Sequence, residues 1–196
     1  MQPWRSGWVV GGKRKVEMLL TILAAALLQG DAPPEPAPDC SYDYAAMLEL
    51  DWLAFDQDLN GGWRPLSHKG CDLEAAELIR QWRFDKREHK SVLYWHEGQL
   101  RAFAGQTDEA VALFRITYAA PEDDASFGWN YYVSGTIAFL TRDLQRLRAA
   151  IAGLKQVPRS ADLNPDFSWP PNLSVLEGFG RCWDRSYKEA YASAEC

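Results

Sequence analysis

The chain has 196 residues, of which 47% are hydrophobic and 24% charged, with 9 Trp, 8 Tyr and 8 Phe. That is enough apolar material for one domain with a substantial core, and it is not the composition of a disordered chain. A net charge of −6 and a pI near 5.1 argue against a nucleic-acid binder, which would need a basic face.

Residues 1–30 stand apart from the rest. "KRKVE" is followed by "MLLTILAAALL", an apolar run from Met18 to Leu28. The run is too short for a bilayer span, which takes about 20 residues, but it fits the h-region of a signal peptide behind a positive n-region. The expectation is export, with the signal removed and no membrane span left in the mature chain; translation starting at Met1 or at Met18 would both fit. Pro33, Pro34, Pro36 and Pro38 then make 31–41 an extended tether. The domain proper is expected over 42–196.

Helices are predicted near 42–56, 63–69, 72–84, 88–104, 107–119, 126–140, 143–156, 173–183 and 185–194, with no strand signal. Thr107-Asp108-Glu109 supplies a hydroxyl and acids at a helix start, and Gly105 stands where a positive φ ends the helix before it. Pro121 in "AAPEDD" is expected to close a unit, because proline cannot continue a helix. The Pro-rich run 158–172 is a long connection. Cys40, Cys71, Cys182 and Cys196 make an even number in an exported chain, which suggests disulfides. Three pairings are open; Cys40–Cys71 with Cys182–Cys196 is favoured because each would clip one end of a helical array, although sequence alone does not decide it.

Two stretches resemble each other: "GCDLEAAELIRQW" from Gly70 and "GQTDEAVALFRIT" from Gly105. Glu-Ala recurs at 74–75, 109–110 and 189–190. Gly70 and Gly105 lie 35 apart, while Gly98–Gly135 and Pro121–Pro158 are each 37 apart, near the period of about 34 of helix–turn–helix repeats. The unit from Tyr94 to Pro121, with Gly98, Gly105, Ala110, Phe114 and Pro121, resembles the tetratricopeptide repeat. Gly70 and Ala75, Gly135 and Pro158, and Gly178 and Ala190 mark more degraded units; in the one from Tyr131 to Pro158, Arg142 and Leu147 replace the mid-turn Gly and the small Ala. The resemblance implies an all-α fold of antiparallel helix pairs stacked as a short right-handed solenoid, and a concave surface that binds protein or peptide. A plain helical bundle is the competing fold. The stretch "AFDQDLNGGWRPLSHKGC" is also similar to a set of small exported bacterial proteins, which implies export and fold rather than chemistry.

For chemistry the sequence offers little. His68, His89 and His96 do not share a ligand spacing, so no metal is expected, and no cofactor fingerprint is present. Asp56, Asp58 and Asn60 imitate the start of a calcium loop, but the twelfth position is Ser67 rather than Glu. "EDD" at 122–124 reads as a solvated turn, or as acidic bait for a basic partner. On the resemblance, the aromatic "FGWNYY" helix and the helix after the basic island 83–90 would line the groove. Tyr94, Trp95, Trp129, Asn130 and Tyr131 would then meet a peptide, with Arg87 or Lys90 holding a carboxylate. The alternative puts Trp95 and Trp129 in the core and the island in solvent. The leading functional expectation is therefore a non-enzymatic exported scaffold for a protein or peptide. Two other expectations compete with it: a hydrolase using Asp56, His68 or Cys71 around the irregular first turn, and a structural, self-associating domain.

Overall fold

The computed structural model describes residues 36–159, 164 and 166–196, and all regular structure among them is helical. The expected signal peptide and most of the proline tether lie outside the described residues. The helices are α1 (Tyr44–Glu49), a π-helical turn (Leu53–Gln57), α2 (Arg64–His68), α3 (Asp72–Lys86), α4 (Ser91–Phe103), α5 (Thr107–Ile116), α6 (Pro121–Asp124), α7 (Trp129–Leu140), α8 (Leu144–Leu154), α9 (Leu173–Arg181) and α10 (Tyr187–Ala192). None of the described helices is long and apolar enough to cross a membrane.

Two expectations on boundaries are corrected. The single helix predicted over 42–56 is split, because Leu50 turns extended after α1 and the backbone restarts as a π-helical turn. Pro121 opens α6 rather than ending a unit, since a proline at the first helical position gives up an N–H that would lack a partner anyway.

Successive helices pack side by side: α3 on α4, α4 on α5 and α7 on α8. The links 104–106 and 141–143 are short, which forces neighbours to run antiparallel. Small residues set how closely the helices approach. A Cβ at Gly98 would lie 2.7 Å from the Phe114 ring, and one at Gly135 would lie 2.7 Å from Leu176. Ala75 and Ala110 are fully buried. The turns before α3, α5 and α8 each carry a positive φ, at Gly70, Gly105 and Arg142. Arg142 tolerates it while its guanidinium donates to the carbonyls of Trp183 and Arg185 and covers the Phe139 and Trp183 rings.

The core has two clusters. Phe55, Trp63, Leu66, Leu78, Ile79, Trp82, Leu93 and Leu100 form one; Trp95, Phe114, Ile137, Phe139, Leu147, Leu176, Phe179 and Tyr187 belong to the other. Helix α4 serves both, with Leu93 and Leu100 on one side and Trp95 and Ala102 on the other, and Phe103 packs against each cluster. A buried ionic chain runs beside this helix. Glu97 accepts from Arg83 and, at 2.9 Å, from Arg101, which also reaches Glu77 at 2.6 Å and Gln106 at 2.7 Å. The chain ties α3, α4 and the start of α5 together.

Disulfides join Cys40 to Cys71 and Cys182 to Cys196, with Cα atoms 5.6 and 5.5 Å apart. Such bonds persist in oxidising compartments. Each closes a loop at one end of the described domain.

Candidate functional site

The most unusual local structure is the π-helical turn, and a site grows from it. The Asp51 side chain accepts from Ala54 N at 2.8 Å, and its carbonyl accepts from Phe55 N at 2.9 Å. The turn is then closed by Asp58 N donating to Leu53 O at 3.0 Å. One residue more per turn than an α-helix changes which side chains point inward, and such turns are frequent at functional sites. Phe55 faces inward and stacks on Trp82 at 4.2 Å, with Asp56 fully buried beside it. The chain doubles back at once through Gly61 and Gly62. Gly62 has φ +55°, and a Cβ there would lie 1.8 Å from the Phe55 carbonyl oxygen, so glycine alone fits. The return brings Trp63 and Arg64 onto Asp56.

Asp56 is the anchor. Its Oδ1 accepts from Trp63 Nε1 at 3.0 Å and pairs with His96 Nδ1 at 2.7 Å, while Oδ2 accepts from Gln57 Nε2 at 2.5 Å. Its backbone carbonyl accepts from the Arg64 guanidinium. Burial by itself would raise the Asp56 carboxyl. The hydrogen bond and charge of His96, with the bonds from Trp63 and Gln57, outweigh it and hold the group below its ordinary value. An ionised carboxylate at this distance makes Nδ1 the donor, so Nε2 is the imidazole nitrogen left for other chemistry.

That imidazole, on α4, lines a cavity of about 260 Å³, and its side chain is 16% exposed. The walls are Trp63, Leu100 and Phe103; the polar lining is Arg64, Ser67, His68, Gln99 and Tyr191. Arg64 lies over the Trp63 ring at 4.2 Å, and partial burial lowers its pKa, against the charges of Asp56 and Asp58. Tyr191 comes from α10 at the far end of the chain. This helix is held to the site by Lys188 Nζ, 2.5 Å from Asp72 Oδ2, while Ser67 Oγ donates to Asp72 Oδ1 at 3.0 Å.

The residues expected from sequence are distributed differently. Trp95 is 4% exposed, with Phe114, Trp129 and Tyr132 rings 4.5 to 4.9 Å away, so it leaves the groove set for the core. Trp129 is half-buried and donates to Thr117 O at 2.8 Å. Asn130 spends its amide on Ala119, accepting from N at 2.9 Å and donating to O at 3.0 Å. Tyr131 is 42% exposed and lies over Gly153. It shares with Asn130, Pro121 and Pro158 a second, more open hollow of about 430 Å³. Arg87 is the left-handed cap of α3, and Lys90 sits 5.1 Å from the Trp52 ring and 3.3 Å from Glu88. Tyr94 lies under the Arg83 guanidinium at 3.9 Å and bonds His89 at 3.0 Å.

No known family model matches the chain, and neither a curated protein nor a solved structure matches it. The site is therefore read from its own geometry.

Of the residues proposed around the first turn, Asp56 and His68 reach this site, but Cys71 is bonded to Cys40 and has no thiolate to act as nucleophile. For the same reason Cys40, Cys71 and Glu74, which lie close enough together for a metal, offer no free thiolate pair. His96, Arg64, Gln99 and Tyr191 escaped the sequence reading. The "Phe-Asp-Gln" and "Gly-Trp-Arg" run was the visible signal for Arg64, whereas nothing in the sequence ties His96 to a carboxylate 40 residues upstream.

Proposed function

We propose that the chain is an exported helical-repeat scaffold that binds a protein or peptide segment, with the cavity at Asp56–His96 as its specific subsite. The observation that carries this is a walled hollow containing polar groups without a partner among the described residues. Among the described residues, Arg64 bonds through one N–H and His96 through Nδ1 alone. In the second hollow the Asn130 groups bond within the protein, and Asp124 Oδ1 is sealed from solvent. Tetratricopeptide-like stacking is supported by positive-φ turns at 70, 105 and 142, and by close approaches at Gly98 and Gly135. Export to a periplasmic or extracellular space is supported by the two disulfides together with the N-terminal sequence pattern.

An immobilised peptide library, screened with the disulfide-bonded chain, tests the proposal. The screen is repeated with Gln99→Trp, which fills the cavity, and with Tyr131→Ala in the other hollow. Loss of binding in Gln99→Trp alone is the expected result. Loss in Tyr131→Ala alone would move the site, and binding retained in both would remove it.

One observation favours a second reading, as a hydrolase. A buried carboxylate orients an imidazole through Nδ1, the arrangement by which Nε2 takes a proton from water or a hydroxyl. Substrate screening of wild type beside His96→Asn tests it; equal turnover in the two would discard it.

A further inference from the structure

We infer that the cavity receives a single carboxylate group, held by the free edge of Arg64 beside the His96 imidazole, with the adjoining apolar group against Trp63, Leu100 and Phe103. The inference rests on the cavity being the ligand subsite and adds the class of ligand.

The donors are preformed. Arg64 has one face on the Trp63 indole and one N–H on the Asp56 carbonyl, so its orientation is held while its remaining N–H groups lack an acceptor among the described residues. A planar guanidinium edge fixed in this way matches the two oxygens of a carboxylate. His96 is oriented by Asp56, and Gln99, three residues further along α4, sits on the same helical face and lines the same cavity.

Charge selects among anions. Asp56 is already inside the pocket's own hydrogen-bonded set and Asp58 lies near Arg64, so Arg64 is the one fixed positive charge that the described lining offers a ligand. Asp72 and Lys188 pair with each other and add none. One fixed positive charge with carboxylates beside it suits a carboxylate, whereas a phosphate dianion calls for more cations or a cradle of backbone N–H groups. Size agrees: about 260 Å³ admits one residue-sized acid rather than a length of chain.

A carboxylate could come from a free small acid or from the C-terminal residue of a peptide. The probes are N-acetyl-leucine, N-acetyl-leucinamide, the tripeptide Ala-Ala-Leu as acid and as amide, and inorganic phosphate. Each is titrated into the disulfide-bonded chain by calorimetry, while the His96 imidazole and Trp63 indole resonances are followed by NMR. The acids are expected to bind and to move both resonances, and the amides to bind at least about tenfold more weakly. Arg64→Gln should lose that acid preference and Arg64→Lys should recover part of it, each variant being checked for native indole resonances. Binding of both acids would make a free acid sufficient, and binding of the tripeptide acid alone would indicate a peptide terminus; either supports the inference. Equal affinity for acid and amide, or tighter binding of phosphate, would overturn the carboxylate assignment while leaving the cavity as a subsite. Peptide binding that leaves the His96 and Trp63 resonances unmoved, or no binding at millimolar concentration, would overturn the inference together with the subsite beneath it.

Discussion

Glu97 shows how much a single buried charge can hold. Its side chain is 2% exposed and faces Arg83, 3% exposed, and Arg101, 9% exposed. Removing one partner of such a pair leaves buried positive charge uncompensated, which costs about 3–5 kcal/mol. Glu97→Gln keeps the shape and loses the charge, so chemical denaturation should report a loss near the lower end of that range. Asp56 makes a different expectation, in pH. Its folded pKa lies below the ordinary carboxylate value, so its pairing contributes stability that is complete above the unfolded value of about 3.9 and is lost as pH falls through the lower folded value. The stability gap between wild type and Asp56→Asn should therefore be widest near neutral pH and narrow as the pH drops below 4. A gap that stays constant would mean that the carboxylate's charge is not what matters.

At the scale of elements, the decisive quantity is how near two helices can come. The 2.7 Å between a Cβ at Gly98 and the Phe114 ring is shorter than real contacts allow. Gly98→Ala must push α4 and α5 apart or displace the ring. Overpacking of this kind costs about 1–3 kcal/mol, more than the gain of about 1 kcal/mol that alanine brings over glycine in a helix. Phe114→Leu should recover part of the loss, and a double-mutant cycle by thermal unfolding would show coupling between the two sites. This part of the fold was legible beforehand, because Gly98, Ala110 and Phe114 announce it by spacing and size. The broken first helix was not. Leu53, Ala54 and Phe55 suit an ordinary helix, and only the return through Gly61 and Gly62, seated against Ala54 and Phe55, favours the wider turn.

For the whole molecule, the two disulfides close loops of unequal length, spanning 31 and 14 residues. On the chain-entropy model the first contributes about 4 kcal/mol and the second about 3 kcal/mol. Cys40→Ser with Cys71→Ser should thus lower the melting temperature more than Cys182→Ser with Cys196→Ser, as differential scanning calorimetry would show. Both pairs also tie down elements that supply the candidate site: Cys71 follows α2, and Cys182 and Cys196 flank α10, which supplies Tyr191. Loosening either end should weaken carboxylate probes as well as stability.

Helix type, most boundaries, the small residues at helix crossings and the even cysteine count were all readable along the chain, because each depends on neighbours within a turn or two. Which cysteines meet, which tryptophan is buried and which histidine finds a carboxylate depend on segments distant in sequence. Asp56 meets His96 across 40 residues, and Asp72 meets Lys188 across 116. Such pairings are settled only when packed helices bring those segments together, since local preference carries no term for them.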